Sequence, residues 1–430
     1  MSGIRRNLEF ARGERHSAAL VIGLTLSLLC GATSAQSAPA SVRAAERPAV
    51  AVPALPAGSW RFIVSGDSRN CGDIVMPAIA AHSVQFAPTF YWHLGDLRAI
   101  YKVDEDMAFA AAVDGEFLSC SLYLQRAWPD FIEHQIAPFG NLPFYVGIGN
   151  HELITPKDRL QFRRQFAAWL DQSTLHAQRA ADGLAGPKRD SSSEPEAPES
   201  YFHWVQNKVD FIYLDNSSDC FLPVELDWLK RVLERDADKS DPKREVQSVV
   251  VGMHESLPDS LANAHSMGDS KVPEARPSGE KVYEMLLAFH DRTSKPVYVL
   301  SSHSHFYLEN IFQTKPPRKE PNPLPGWIVG TGGAERYTLP VAPSDGAKQD
   351  VYGYLVGTVA ADGTIKFSFQ EIQEPDVPAA TRLGYPSALV DWCFAHNSRN
   401  TDPGAEKSLR TVLRHHRRRN ANSGNRARNL

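Results

Sequence analysis

Short apolar runs recur along the chain, rich in aromatic and β-branched residues and bounded by Gly, Pro, Asp, Asn or His. Runs of that length and composition predict buried strands. They fall at 60–64, 89–94, 144–148, 246–251, 297–300 and 328–330. Two further pairs predict hairpins: 201–205 with 209–214 around Gln206-Asn207-Lys208, and 352–359 with 364–369 around Asp362-Gly363. Between the strands the apolar spacing changes to that of amphipathic helices. These are 74–81, pieces of 104–135, 155–170, 223–234 and 280–290. Met107, Phe109, Phe117, Leu122, Leu124 and Trp128 are the expected core of 104–135. Leu160, Phe162, Phe166 and Leu170 are the expected buried face of 155–170. Polar stretches at 177–200, 256–279 and 314–325 predict loops, the first an insertion. Strands alternating with helices predict an α/β domain with some antiparallel pairs mixed in.

What the strands run into is more informative than the strands themselves. The run 144–148 ends in Gly149-Asn150-His151-Glu152, an amide, an imidazole and a carboxylate that a core cannot use. An amide oxygen can bind a hard cation, and an imidazole can move a proton. Taken alone, the same residues also fit a plain polar turn with Asn150 left-handed. Four other strands end alike: 60–64 before Asp67, 89–94 before Gly95-Asp96, 246–251 before Gly252-Met253-His254, and 297–300 before His303-Ser304-His305. An α/β sheet gathers such strand ends along one edge, where ligands bind. Five metal-capable strand ends in order are not explained by five separate turns.

Composition and charge narrow the setting. Hydrophobic content of 42% and charged content of 22% exclude a fibrous or wholly disordered chain. Arg5, Arg6, Arg12 and Arg15 precede an apolar run at 18–30 and the small residues Ala32-Thr33-Ser34-Ala35. That is the layout of a secretory signal peptide over 1–35, too short for a comfortable membrane span, so the chain is expected to be exported to the periplasm or outside the cell. An Ala- and Pro-rich lead-in follows at 36–58, then the main domain at 59–375, an extension at 376–406 and a tail at 407–430. The tail holds eight Lys or Arg and no acid, and predicts a disordered, solvated end. With a net charge of −4 for the whole chain, the body between the termini is acidic, which argues against a broad nucleic-acid-binding face. Cys71, Cys120, Cys220 and Cys393 remain after the signal, compatible with two disulfides in any of three pairings. Cys71, close to Asp67, also fits a site residue.

In order, Asp67, Gly95-Asp96, Gly149-Asn150-His151-Glu152, Gly252-Met253-His254 and His303-Ser304-His305 resemble the motifs of the calcineurin-like metallophosphoesterases, over about residues 60–372. The resemblance implies a four-layer αββα sandwich of two mixed β-sheets flanked by helices. It implies a dinuclear site with Asp96 as the bridging ligand, Asp67 and His305 on the first metal, and Asn150, His254 and His303 on the second; carboxylate and imidazole ligands suit Fe, Mn or Zn without singling one out. His151 would approach the leaving-group oxygen, oriented by Glu152 or another acid. Gly332-Gly333 resembles the segment after the last ligand pair in the acid-phosphatase branch. Two cations about 3.5–4 Å apart would neutralise a phosphate ester and lower the pKa of a bound water. A general acid at His151 would add roughly 10²–10⁴-fold.

One position departs from the family. Its first motif is Asp-x-His, and position 69 is arginine, which stays charged and is no ordinary ligand. Ala99 stands where the purple acid phosphatases carry a replacement Tyr. The candidates to complete the first metal are Tyr101, Asn70 and His93, and Arg69 is expected to bind substrate phosphate through its planar fork, beside Asn150 and His151. The expectation is an exported phosphoesterase acting on small phosphate esters. The alternative is a weakened phosphate- or ligand-binding protein on the same scaffold.

Overall fold

The strands assemble into two mixed sheets, and the reason is visible in how each strand divides its side chains. In chain order they are β1 (Trp60–Ser65), β2 (Tyr91–His93), β3 (Phe144–Val146), β4 (Phe202–Gln206), β5 (Val209–Leu214) and β6 (Ser248–Met253). Then come β7 (Val297–Ser301), β8 (Tyr307–Glu309), β9 (Gly326–Val329), β10 (Ala347–Lys348), β11 (Tyr352–Val359) and β12 (Ile365–Ile372). This computed structural model describes residues 54–183, 197–238, 240, 245–314 and 322–399. The expected signal peptide, the basic tail, most of the lead-in and residues 184–196 of the expected insertion lie outside them.

One sheet has the order β12-β11-β1-β2-β3 and the other β10-β8-β9-β7-β6-β5-β4. β1, β2 and β3 run parallel, as do β5, β6, β7 and β9, while β4, β8, β10, β11 and β12 pair antiparallel. Strands buried on both faces read as continuous apolar runs. In β5, Val209, Phe211 and Tyr213 join the core between the sheets, whereas Ile212 and Leu214 join the core under the helices. β6 divides likewise, Val250 inward and Val249 and Val251 outward.

Between the sheets the filling is aromatic. Tyr145 stacks on Trp204 at 3.8 Å, Trp92 meets Trp204 edge-on at 5.3 Å, and Phe62 meets Phe211 at 5.0 Å. Helices Pro223–Ala237 and Ala275–Thr293 cover the seven-stranded sheet with Leu226, Leu229, Leu233, Val282, Leu286 and Phe289. Helix Gly72–Ser83 lies against the other sheet. The result is the four-layer α/β sandwich that the motifs imply. Among the described residues no helix is long and apolar enough to cross a membrane.

Several local expectations change. Helix Cys120–Phe131 starts after Phe117, which is 69% exposed in the segment before it. Leu122 and Leu124 are half-buried, and Tyr123 and Ala127 fill that satellite core with Met107. Leu160 is 48% exposed because it lies two residues from Phe162, on a different face of Arg159–Gln165. The stretch expected as a loop from 177 begins inside helix Ser173–Ala181. Among the described residues one disulfide is present, Cys71–Cys393, whereas Cys120 and Cys220 are free. Cys71 is therefore a structural anchor and not a site residue.

Candidate metal centre

Parallel pairing puts the carboxyl ends of β1, β2 and β3 on one edge and those of β6 and β7 on the facing edge. The chain leaves each strand abruptly. Asp67, Asp96 and His303 all adopt left-handed backbone conformations, at φ 57°, 60° and 65°. Such a conformation costs a non-glycine residue about 1–3 kcal/mol and persists only where the surroundings impose it. Here they do. Asp67 N–H donates to the Gly95 carbonyl and Ser68 N–H to that of Asp96, both at 3.0 Å, and His303 N–H donates to Asp67 Oδ2 at 2.6 Å. Gly149 is required by close approach, since a Cβ there would lie 2.3 Å from Asp96 Oδ1.

The buried carboxylate of Asp96 lies at the centre. His151 N–H donates to its Oδ1 at 3.0 Å, and His254 Nε2 lies 3.2 Å from the same oxygen. Arg69 Nε and His151 Nε2 stand 3.6 and 3.5 Å from Oδ2, which has no hydrogen-bond partner among the described residues. Burial alone would raise Asp96, but His151, His254 and Arg69 outweigh it and hold the group below the ordinary carboxylate range. Asp67 is lowered in the same way, burial being overcome chiefly by His305.

On one side, Asp96, His254 and His303 offer ligand atoms within 4.8 Å of one another. His254 Nδ1–H faces the Leu94 carbonyl at 3.0 Å, so the Nε2 lone pair points inward. It meets Asn150 Oδ1 at 3.0 Å and His303 Nδ1 at 3.1 Å. Burial presses His303 well below the ordinary histidine value, into the neutral form that ligates. Oxygen and nitrogen acceptors converging on one point with so few donors among them fit a cation.

On the other side, Asp67, Asp96 and His305 form a second group within the same 4.8 Å limit. His305 Nδ1–H donates to the Glu335 carbonyl at 2.5 Å, leaving Nε2 3.2 Å from Asp67 Oδ1. Here, however, a cation of the chain's own is in place: Arg69 Nη2–H donates to His305 Nε2 at 2.9 Å. Burial opposes the guanidinium charge, and Asp96 foremost outweighs it, so Arg69 stays protonated.

Of the three candidates to complete this group, Asn70 and His93 do other work. Asn70 N–H binds Asp104 Oδ1 and its Nδ2 binds Glu105, both at 2.7 Å, while its Oδ1 accepts from Glu335 N–H. His93 donates to Ser68 Oγ at 3.0 Å and accepts from Gly95 N–H, and burial presses it to about 3. Tyr101 is 58% exposed, with its ring 5.3 Å from that of His151.

Glu152 does not orient His151. It accepts the backbone N–H groups of Gly149, Asp96 and Leu97 at 2.8, 3.0 and 3.0 Å, pinning the two turns together. His151 donates from Nδ1 to the Ala99 carbonyl at 2.6 Å, and burial lowers it to about 4. The sequence reading missed the rim. Tyr337 lies 3.9 Å from the His305 ring, His265 lies 5.5 Å from His303, and Arg399 lies 3.6 Å over Tyr337. Nothing in their local sequence distinguishes them, because loop closure alone brings them there. In a third group, Asp73, Asp130 and His134, both carboxylates already pair with the Arg98 guanidinium, and His134 pairs with Asp130.

No family model matches the chain, and no curated protein matches it. Among solved structures it is similar to a structure of PhoD, at 13% identity and a TM-score of 0.41, covering 75% of this chain and 73% of that one. It is also similar to a novel phosphatase of Mycoplasma pneumoniae, at 12% identity and a TM-score of 0.34, covering 73% and 93%. Superpositions this loose carry no functional argument, so function is argued from the site.

Proposed function

We propose that the chain is an exported, metal-dependent phosphoesterase acting on small phosphate esters. One observation carries the reading: the inward acceptors of Asn150, His254 and His303 converge on Asp96, beside a fixed guanidinium and a buried imidazole. Asp96, Asn150, His254 and His303 would hold a cation, which when bound would polarise a phosphoryl oxygen and acidify a water. Asp67 and His305 stand where the family resemblance puts a further ion. Arg69 keeps positive charge beside the phosphate position and offers a buried Nε–H that has no hydrogen-bond partner among the described residues.

His151 acts on the proton. Its Nδ1–H is committed to Ala99, so exchange falls to Nε2 on the Asp96 side. The ring is neutral at rest; an arriving phosphate raises its proton affinity, and the protonated ring can then donate to the departing oxygen. The Cys71–Cys393 disulfide supports an oxidising compartment and so the export part of the reading.

The test is hydrolysis of p-nitrophenyl phosphate and its bis ester with Mn2+, Zn2+, Fe2+ or Ca2+ added, beside a chelator and a His303→Ala control. Activity should vanish on chelation, and His303→Ala should lose roughly 10²-fold or more. Absence of chelator-sensitive hydrolysis on monoesters, diesters and nucleotides would replace this reading with the binding-protein one, which Arg69 favours.

A further inference from the structure

The two halves of the site differ in one respect. Around His254 the inward atoms include Asp96 Oδ1, Asn150 Oδ1 and the Nε2 lone pair, and among the described residues no charged donor serves them. Around His305 a charged donor does. The carbonyl of Glu335 fixes the His305 proton on Nδ1, so Nε2 has a single lone pair to give, and Arg69 Nη2–H already takes it at 2.9 Å. Arg69 Nε extends the same cation towards Asp96 Oδ2, the other oxygen that a first ion would need. Arg69 itself is only 6% exposed, so solvent does little to screen it.

We infer that this chain is built for a single metal ion, at Asp96, Asn150, His254 and His303, with the Arg69 guanidinium occupying the first cation position. A metal there would have to displace Arg69 from the only free lone pair of His305 and sit against an undiminished positive charge, which like-charge repulsion in a buried site opposes. With the guanidinium in place, Asp67 and Asp96 already have a counter-charge on that side. The donor set therefore does not fit a second ion alongside Arg69. The inference rests on the phosphoesterase reading for what the site does, but not for how many ions it holds.

The full chain, stripped with chelator and reloaded with Mn2+, should retain about one ion per chain by elemental analysis and give the signal of an isolated Mn2+ in electron paramagnetic resonance. His254→Ala should lose that ion. Arg69→His, which restores an imidazole in place of the guanidinium, should gain a second ion and an exchange-coupled signal. Two coupled ions in the unmodified chain would overturn the inference and leave the phosphoesterase reading intact. One ion without chelator-sensitive hydrolysis would do the reverse, and no ion at all would sink both. The count in the unmodified chain decides the matter even if Arg69→His does not fold.

Discussion

At the scale of single residues, backbone strain and buried charge are held by a few bonds each. Glu152 is fully buried, and burial and the neighbouring Asp96 push its pKa up while three backbone amides pull it down. Its work is to pin the turns that carry Asp96 and Asn150. His203 shows the opposite balance away from the site. Burial presses it down, but the Asp210 carboxylate and hydrogen bonds to Asp182 and Asp210 outweigh that and push it to about 9. Its folded value exceeds the unfolded one, so its stabilisation is complete below about pH 6.5 and is lost as pH rises through about 9. Replacing His203 by Asn should therefore cost on the order of 2–3 kcal/mol at about pH 6 and progressively less as pH rises from there to about 9. Urea melts at the two pH values measure this, and a difference that stayed flat or grew with pH would count against it.

At the scale of elements, the sheets are held by aromatic side chains on their inner faces, and β2 shows the link to the site. Trp92 fills the space between the sheets, and the strand ends one residue later, just ahead of the turn that presents Asp96. Removing the ring leaves a large cavity where the second sheet rests. Trp92→Ala should cost about 3–5 kcal/mol, as large-to-small aromatic replacements in cores do. The indole N–H of Trp92 is buried without a hydrogen-bond partner among the described residues, so Trp92→Phe forfeits volume but no bond and should cost less than half as much. Equal losses in denaturant midpoint for the two variants would show that the indole nitrogen, and not packing, is what matters there.

For the whole molecule, the disulfide decides how the last described elements are attached. Cys71 lies two residues after Arg69, at the start of helix Gly72–Ser83, and Cys393 lies in helix Ser387–Ala395, a separation of 322 residues. Beyond that helix, Asn397 donates to the Gly333 carbonyl at 3.1 Å and Arg336 bonds back to Asn397. Arg399 then lies over Tyr337 at the rim. Cys393→Ser should cost about 2–5 kcal/mol, the usual loss for a native disulfide. Thermal or denaturant melts with and without reductant measure it. The unmodified chain should fall to the variant's stability when reduced, and the variant should not respond; a reductant-insensitive unmodified chain would show that the bridge contributes little.

The strand ends were legible because two-sided burial makes their apolar runs conspicuous and because carboxylates and imidazoles at such ends have no packing role. Asp67, Asp96, Asn150, His151, His254, His303 and His305 all follow predicted strands, and the structure brings them together. The hairpin at Asn207-Lys208 was legible for a similar local reason, since both residues take positive φ, at 47° and 68°. The faces of the helices were not, as Leu160 and Phe117 show, because Leu160 lies two positions from Phe162 and so on another face, and Phe117 falls before its helix begins. Which cysteines pair, that Ala99 and not Glu152 holds His151, and that Tyr337 and Arg399 reach the rim depend on contacts between distant segments. The sequence alone determined that an arginine stands two residues after the strand-end carboxylate Asp67. Only the tertiary structure decided what that arginine does, because its partner His305 lies at the end of another strand in the facing sheet, and one hydrogen bond between them sets which lone pair is left to bind.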